Sequence, residues 1–299
     1  MLASELTGDL PCLRCGYNLR GLSIRELCPE CRMPVRATIL ALVDPKASEL
    51  KPLYHPRLTA WGLVFWSVGA LVAALVAWVI RLSELSHSWL DIAWSPPWAA
   101  WLVVLMTLVS GIGAASLIRP HPGLSGARVL RAAFGVALYL PLAWLIWYLY
   151  MRVDAGMALP VFGGDGPSER RVLVRLGIGV TMAMIILGLR PTARGLAMRS
   201  VVVRTGRVDR QSLLALLGAV GVAAVGDVLL LVTPEIHGPA AQALRSIEVV
   251  LVAVGSVLIT IGLFGVAIDC VRLRPIIASR GIGITDILDD DRDGPGGER

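Results

Sequence analysis

Apolar residues run through this chain in six long stretches, roughly 58–80, 97–118, 130–151, 172–189, 212–233 and 247–268. Each is about 18–23 residues long, which matches the ~20 residues a helix needs to cross a bilayer core of ~30 Å. The runs are continuous rather than alternating, so they predict helices and not barrel strands. The fourth stretch is short and is interrupted by Arg175. The expected fold is an all-α polytopic membrane protein with six transmembrane helices over 58–268.

Composition sharpens this picture. Hydrophobic residues make up 56% of the 299 positions and charged residues 17%, against ~25% charged in an ordinary soluble protein. Mean hydropathy is +0.70. The net charge of +6 is almost all arginine, with Lys46 and Lys51 the only lysines. With the N-terminus placed in the cytoplasm, the inside segments hold 22 basic residues and the outside loops 5. That bias predicts a cytoplasmic location for both termini. MLASELTGDLP lacks a basic start and an apolar run, so no signal peptide is expected.

Seven tryptophans (Trp78, Trp89, Trp94, Trp98, Trp101, Trp144 and Trp147) fall near the expected outer surface with Tyr148 and Tyr150. They predict an interfacial aromatic belt. Glycine and alanine crowd the second half, so helices four to six are expected to pack more tightly than helices one to three. The loop around Thr205-Gly206 suits a short hairpin facing lipid. The tail 269–299 ends acidic and glycine-rich and is expected to be disordered. Asp289, Asp291 and Asp293 start like a calcium loop, but its bidentate glutamate would fall beyond Arg299.

The sharpest chemical signal precedes the helices. Cys12 and Cys15 are followed by Cys28 and Cys31, a C-x2-C-x12-C-x2-C pattern, while the rest of the chain holds only Cys270. Each CxxC turn aims two sulfurs at one centre, and two such turns make a closed tetrahedral site. Structural zinc fits this best, one ion per chain. An iron site uses the same ligand set. Two disulfides are the third reading, and a reducing cytoplasm disfavours them. Residues 1–36 are therefore expected to form a zinc ribbon of β-hairpin and knuckles, stabilised mainly by its metal. A linker follows over 37–57.

CLRCGYNLRGL followed by CPEC resembles the N-terminal zinc ribbon of uncharacterised bacterial multi-pass membrane proteins, which reads CxxCGYxLRGL…CPECG. The resemblance covers about 25 residues. It implies a zinc-binding protein of the bacterial inner membrane and no particular activity. Arg32 stands where those ribbons carry glycine, at a position that favours a left-handed backbone. The ribbon is basic but holds one aromatic, Tyr17. A cytoplasmic protein partner therefore suits it better than nucleic acid, which usually meets several interleaved aromatics.

Three ionisable residues fall inside the apolar stretches: Arg175, Asp227 and Glu248. Each costs of order ~3 kcal/mol at a helix centre. Snorkelling to the interface, a structural Arg175–Asp227 pair, and a substrate or proton path are the competing explanations. Asp227 follows Gly226 as in intramembrane aspartyl proteases, but AVGD is not GxGD and no second aspartate lies at matching depth. The leading expectation is a scaffolding role with the ribbon as a cytoplasmic interaction module in a bilayer-embedded protein. A small transporter or channel using Asp227 and Arg175 is the alternative. An enzyme ranks third.

Overall fold

The computed structural model describes residues 6, 8–12, 15–36, 38–39, 53–90, 96–121, 124–156, 169–203, 212–232 and 239–278. Residues 40–52 of the expected 37–57 linker, the Thr205-Gly206 loop, the glycine-rich segment 157–168 and residues 279–299 of the expected 269–299 tail lie outside these residues. The chain divides into two compact units, an N-terminal one and a helical one over Leu53–Ser279.

The helical unit contains α1 (Pro56–Leu90), α2 (Pro97–Ala115), α3 (Gly126–Ala137), α4 (Tyr139–Tyr148), α5 (Glu169–Val203), α6 (Ser212–Val232) and α7 (Pro239–Ala278). α3 and α4 together make one crossing, so six spans are long and apolar enough to cross a membrane. The break at Leu138 has a local cause. Pro141 cannot donate to the carbonyl of Ala137, four residues earlier, and its ring crowds that carbonyl. α4 then widens into a π-helical turn over Leu149–Val153.

Three spans run past their expected ends: α1 to Leu90, α5 from Glu169 to Val203, and α7 from Pro239 to Ala278. Hydropathy marks where the lipid-compatible stretch stops. A charged residue does not break a helix, however, so the backbone continues beyond that point. Large side chains such as Ile112 (74% exposed) and Leu130 (73%) point away from the bundle, as lipid-facing positions must.

Each crossing packs on the next in chain order, and α7 closes back on α1. The result is a ring of six crossings. At the end where α1 begins and α7 ends, Ala60, Leu63, Leu117, Leu189, Leu196 and Ile277 belong to one buried apolar cluster. Trp66 and Tyr139 tie that cluster together. The Trp66 Nε1–H donates to the Tyr139 hydroxyl at 2.8 Å, and Ser110 Oγ donates to the Trp66 carbonyl at 2.7 Å.

Close helix approach depends on glycine at particular crossings. Gly69 faces the Ser110 backbone between α1 and α2, Gly188 faces Gly135 between α5 and α3, and Gly255 faces Ala223 between α7 and α6. The tight crossings are thus spread over both halves, contrary to the expectation of a tighter second half. Glycine count does not decide this; a single small residue at the crossing point does. The aromatic belt also needs correction. Trp98, Trp101 and Trp144 are exposed, but Trp78 turns inward and donates to Thr260 Oγ1 at 2.9 Å.

Gly255→Leu should destabilise the bundle by about 1–3 kcal/mol or more through overpacking, because an added Cβ would stand 2.6 Å from the Ala223 nitrogen. Gly265→Ala, with nothing within 4 Å, should be neutral. Thermal unfolding of the two variants in detergent tests the contrast.

Candidate functional sites: a four-cysteine centre and a charged cavity

Two knuckles form the N-terminal centre, and they repeat each other bond for bond. In the first, the Cys12 N–H donates to the Tyr17 carbonyl (2.7 Å) and the Gly16 N–H donates back to the Cys12 carbonyl (2.8 Å). In the second, Cys28 donates to Met33 (2.7 Å) and Arg32 donates back to Cys28 (2.9 Å). The donor four residues after the first cysteine must turn left-handed to reach back. Gly16 does so at φ 77°, and Arg32 at φ 57°, the one non-glycine with positive φ among the described residues. A side chain in this region costs roughly 1–2 kcal/mol.

The four sulfurs lie within 4.8 Å of one another, with Cys12–Cys31 and Cys15–Cys28 at 3.5 Å. Ligands ~2.3 Å from a tetrahedral ion would stand ~3.8 Å apart, whereas a disulfide would hold its sulfurs at ~2.05 Å. The cysteines are free thiols. The donor set therefore fits a metal ion. Tyr17's backbone N–H lowers the Cys15 thiol, but desolvation and the three neighbouring thiols outweigh it and push it up to about 12. A bound cation reverses that crowding by replacing protons. Leu19 and Val35 complete a minimal core with Cys12 and Cys28. The β-hairpin expected between the knuckles is not seen. Isolated bridges instead close each knuckle, Pro11–Asn18 around the first and Leu27–Pro34 around the second, and the residues between them turn at Gly21 and again at Ile24–Arg25 rather than extending.

The second site lies inside the helical ring. A cavity of about 480 Å³ is lined by all six crossings. It exists because the inward faces are small: Ala70, Ala73, Ala74 and Ala77 on α1, Ala223 and Ala224 on α6, and Gly179 on α5. Ala223 serves two roles: it meets Gly255 at the close α6–α7 crossing and also lines the cavity.

Charged groups gather at the cavity end where α1 finishes and α5 begins. Arg175 Nη2 stands 3.1 Å from Asp227 Oδ1, with both side chains largely buried. Asp227 Oδ1 has no aligned hydrogen bond among the described residues. One turn earlier on the same face of α5, Arg171 grips Asp154 through both carboxylate oxygens, Nε to Oδ1 at 2.8 Å and Nη2 to Oδ2 at 3.3 Å. Arg81 and Tyr150 also line this end. The Arg81 guanidinium lies 5.3 Å from the centre of the Trp78 ring.

The structure brings Arg175 and Asp227 together, and both line the cavity. Glu248 is buried at 1% exposure, so it does not snorkel, and it does not line the cavity. Its carbonyl packs beside Gly226. Sequence reasoning missed Arg81, Asp154 and Arg171, because they lie at or past the apolar ends and read as loop charges. The i, i+4 spacing of Arg171 and Arg175 was the available signal.

The chain matches no protein-family model, no curated protein and no solved structure. Its two sites therefore have to be read from their own geometry.

Arg175→Met alone should cost about 3–5 kcal/mol by stranding a buried Asp227. Arg175→Met with Asp227→Leu should recover most of that loss. A double-mutant cycle on thermal unfolding measures both. Arg32→Gly should raise the apparent affinity for added zinc by roughly fivefold, since relief of left-handed strain is worth about 1 kcal/mol. Competition against a chromogenic chelator reads this directly.

Proposed function

We propose that this chain is a multi-pass inner-membrane protein that takes a ligand into its central cavity and works as a small transporter. The observation that carries this reading is the cavity and its charged end. A bundle that only anchors a soluble module gains from a filled centre, since voids forfeit packing energy. Here small residues from three crossings keep about 480 Å³ open, within the ~300–1,000 Å³ of ligand pockets. Ionisable groups at membrane depth commonly mark such pathways. A purely structural Arg175–Asp227 pair would require neither the open centre nor Arg81.

The bias of 22 basic residues against 5 supports cytoplasmic termini, which directs the charged end of the cavity outward. On this reading the four cysteines hold one structural zinc. Four thiolates close the coordination sphere, so the ion folds the ribbon and does no catalysis. The resemblance of the ribbon to those of uncharacterised bacterial membrane proteins accords with this and adds no activity.

A second role, compatible with the first, belongs to the ribbon as a cytoplasmic interaction module. The observation favouring it is the exposure of Tyr17 (40%) and Leu27 (51%) on a knot with too small a core to hide them. A protein partner suits that surface better than nucleic acid, given a single aromatic.

Ser256→Cys, placed on the cavity wall in a Cys270→Ala background, tests the transport reading. A membrane-impermeant maleimide should label it from the outer face, and Ala74→Trp should block the labelling. A cysteine that stays unlabelled from both faces would make the cavity a sealed void and sink the transporter.

A further inference from the structure

Building on the reading of the cavity as a ligand site, we propose that its ligand is an anionic amphiphile. Its single negative head is held by Arg81, Arg171 and Arg175, and its hydrocarbon chain lies along the cavity.

Charge comes first. Three arginines and two aspartates meet at this end of the cavity, with Glu248 buried behind Gly226 and off the wall, and the partners of two of the arginines are already assigned. Asp154 takes Arg171 through both oxygens, and Asp227 faces Arg175 at 3.1 Å. Among the described residues Arg81 makes no ion pair; its close neighbour is the Trp78 ring. Of the charged groups that line the wall, Arg81, Arg171, Arg175 and Asp227, the cations are therefore in excess, at a depth where unbalanced charge is costly. An anion completes the cluster, whereas a cation would add to the excess.

Hydrogen bonding points the same way. A guanidinium carries five donors in a planar fork that suits carboxylate and phosphate oxygens. Asp227 Oδ1 is buried and paired with Arg175, yet it accepts no aligned hydrogen bond. The Arg175–Asp227 contact at Oδ1 is thus an ion pair without an aligned hydrogen bond, and a guanidinium so placed can share its donors with an incoming head.

The rest of the wall is apolar, even where it carries hydroxyls. Ser67 donates to the Leu63 carbonyl, Thr107 to Val103, Ser256 to Val252 and Thr260 to Ser256. Their hydrogens are spent on backbone, which leaves carbon to face the cavity. A small inorganic anion would leave this long apolar wall without a partner. From Arg81 to Trp66, both on the wall, the rise along α1 is about 22 Å. That exceeds the ~15 Å of one leaflet's hydrocarbon depth, so a full chain fits beside α1.

The test uses the full-length protein in phosphatidylcholine nanodiscs at alkaline pH, with stearate carrying a nitroxide near its head or near its tail. Tryptophan quenching should saturate. Trp78→Phe should remove the head-label component and Trp66→Phe the tail-label component. Arg81→Gln should weaken binding by at least ~tenfold, as expected for loss of a charged hydrogen-bond donor, while Arg81→Lys retains part of it. Among the described residues Arg81 has no ion pair to orphan, and an unchanged thermal unfolding midpoint verifies that each variant is folded.

Equal quenching by the uncharged methyl ester, or unchanged affinity in Arg81→Gln, overturns the proposal. Native mass spectrometry of protein taken directly from its own membrane separates the sources. A retained acidic phospholipid identifies a bilayer lipid, and a retained single-chain acid identifies a free amphiphile. A retained neutral or zwitterionic molecule overturns the assignment. If Ser256→Cys labels as expected and stearate does not saturate, the ligand class falls and the transport reading stands. If stearate saturates while Ser256→Cys stays unlabelled, the reverse holds.

Discussion

Arg171 and Arg175 can sit inside this bundle only because Asp154 and Asp227 meet them there. A lone guanidinium or carboxylate away from water carries a penalty comparable with the net stability of a domain. The two pairs therefore constrain the helices that supply them. α5 must turn its 171/175 face inward, α6 must present Asp227 at the same level, and the residues after α4 must bring Asp154 within reach. The π-helical turn over Leu149–Val153 lies just before Asp154 and shifts the phase of the helix there. Closure of the ring at this end is in effect a charge-matching problem.

Its opposite end is solved by packing instead. Leu, Ile and Ala side chains fill the space, and hydrogen bonds link Trp66, Tyr139 and Ser110 among them. Between the two ends the inward alanines leave the centre open. The bundle thus runs from a plugged apolar floor, through an uncharged wall, to a polar mouth. That gradient makes the interior suited to a molecule that is itself apolar along its length and charged at one end.

The N-terminal unit follows a different logic. With Leu19, Val35 and two cysteines as its buried apolar residues among those described, it has too little apolar surface to fold alone. Two matching sets of turn hydrogen bonds aim the sulfurs, and a metal ion held by them would supply the missing stability. Arg32 shows that the turn geometry outranks side-chain preference: the backbone adopts φ 57° although the residue is not glycine.

Several of these features were legible in the amino-acid order. The length of the apolar runs determined six crossings, because bilayer thickness leaves little choice. The cysteine spacing determined a four-sulfur centre, since the ligands are local and a CxxC turn has few conformations. The left-handed demand at Arg32 was readable only through the resemblance to ribbons that carry glycine there. Helix ends were less so, since hydropathy reports lipid contact and not backbone continuity. What only the tertiary structure decided is the rotation of each helix about its own axis, and with it the ring, the open centre, the inward turn of Trp78 and the gathering of Arg81, Arg171 and Asp154 with Arg175 and Asp227. In water an apolar stripe tells a helix which face to bury. In lipid both the interior and the surroundings are apolar, so side-chain hydropathy barely distinguishes them, and packing and charge matching between distant segments have to settle the orientation.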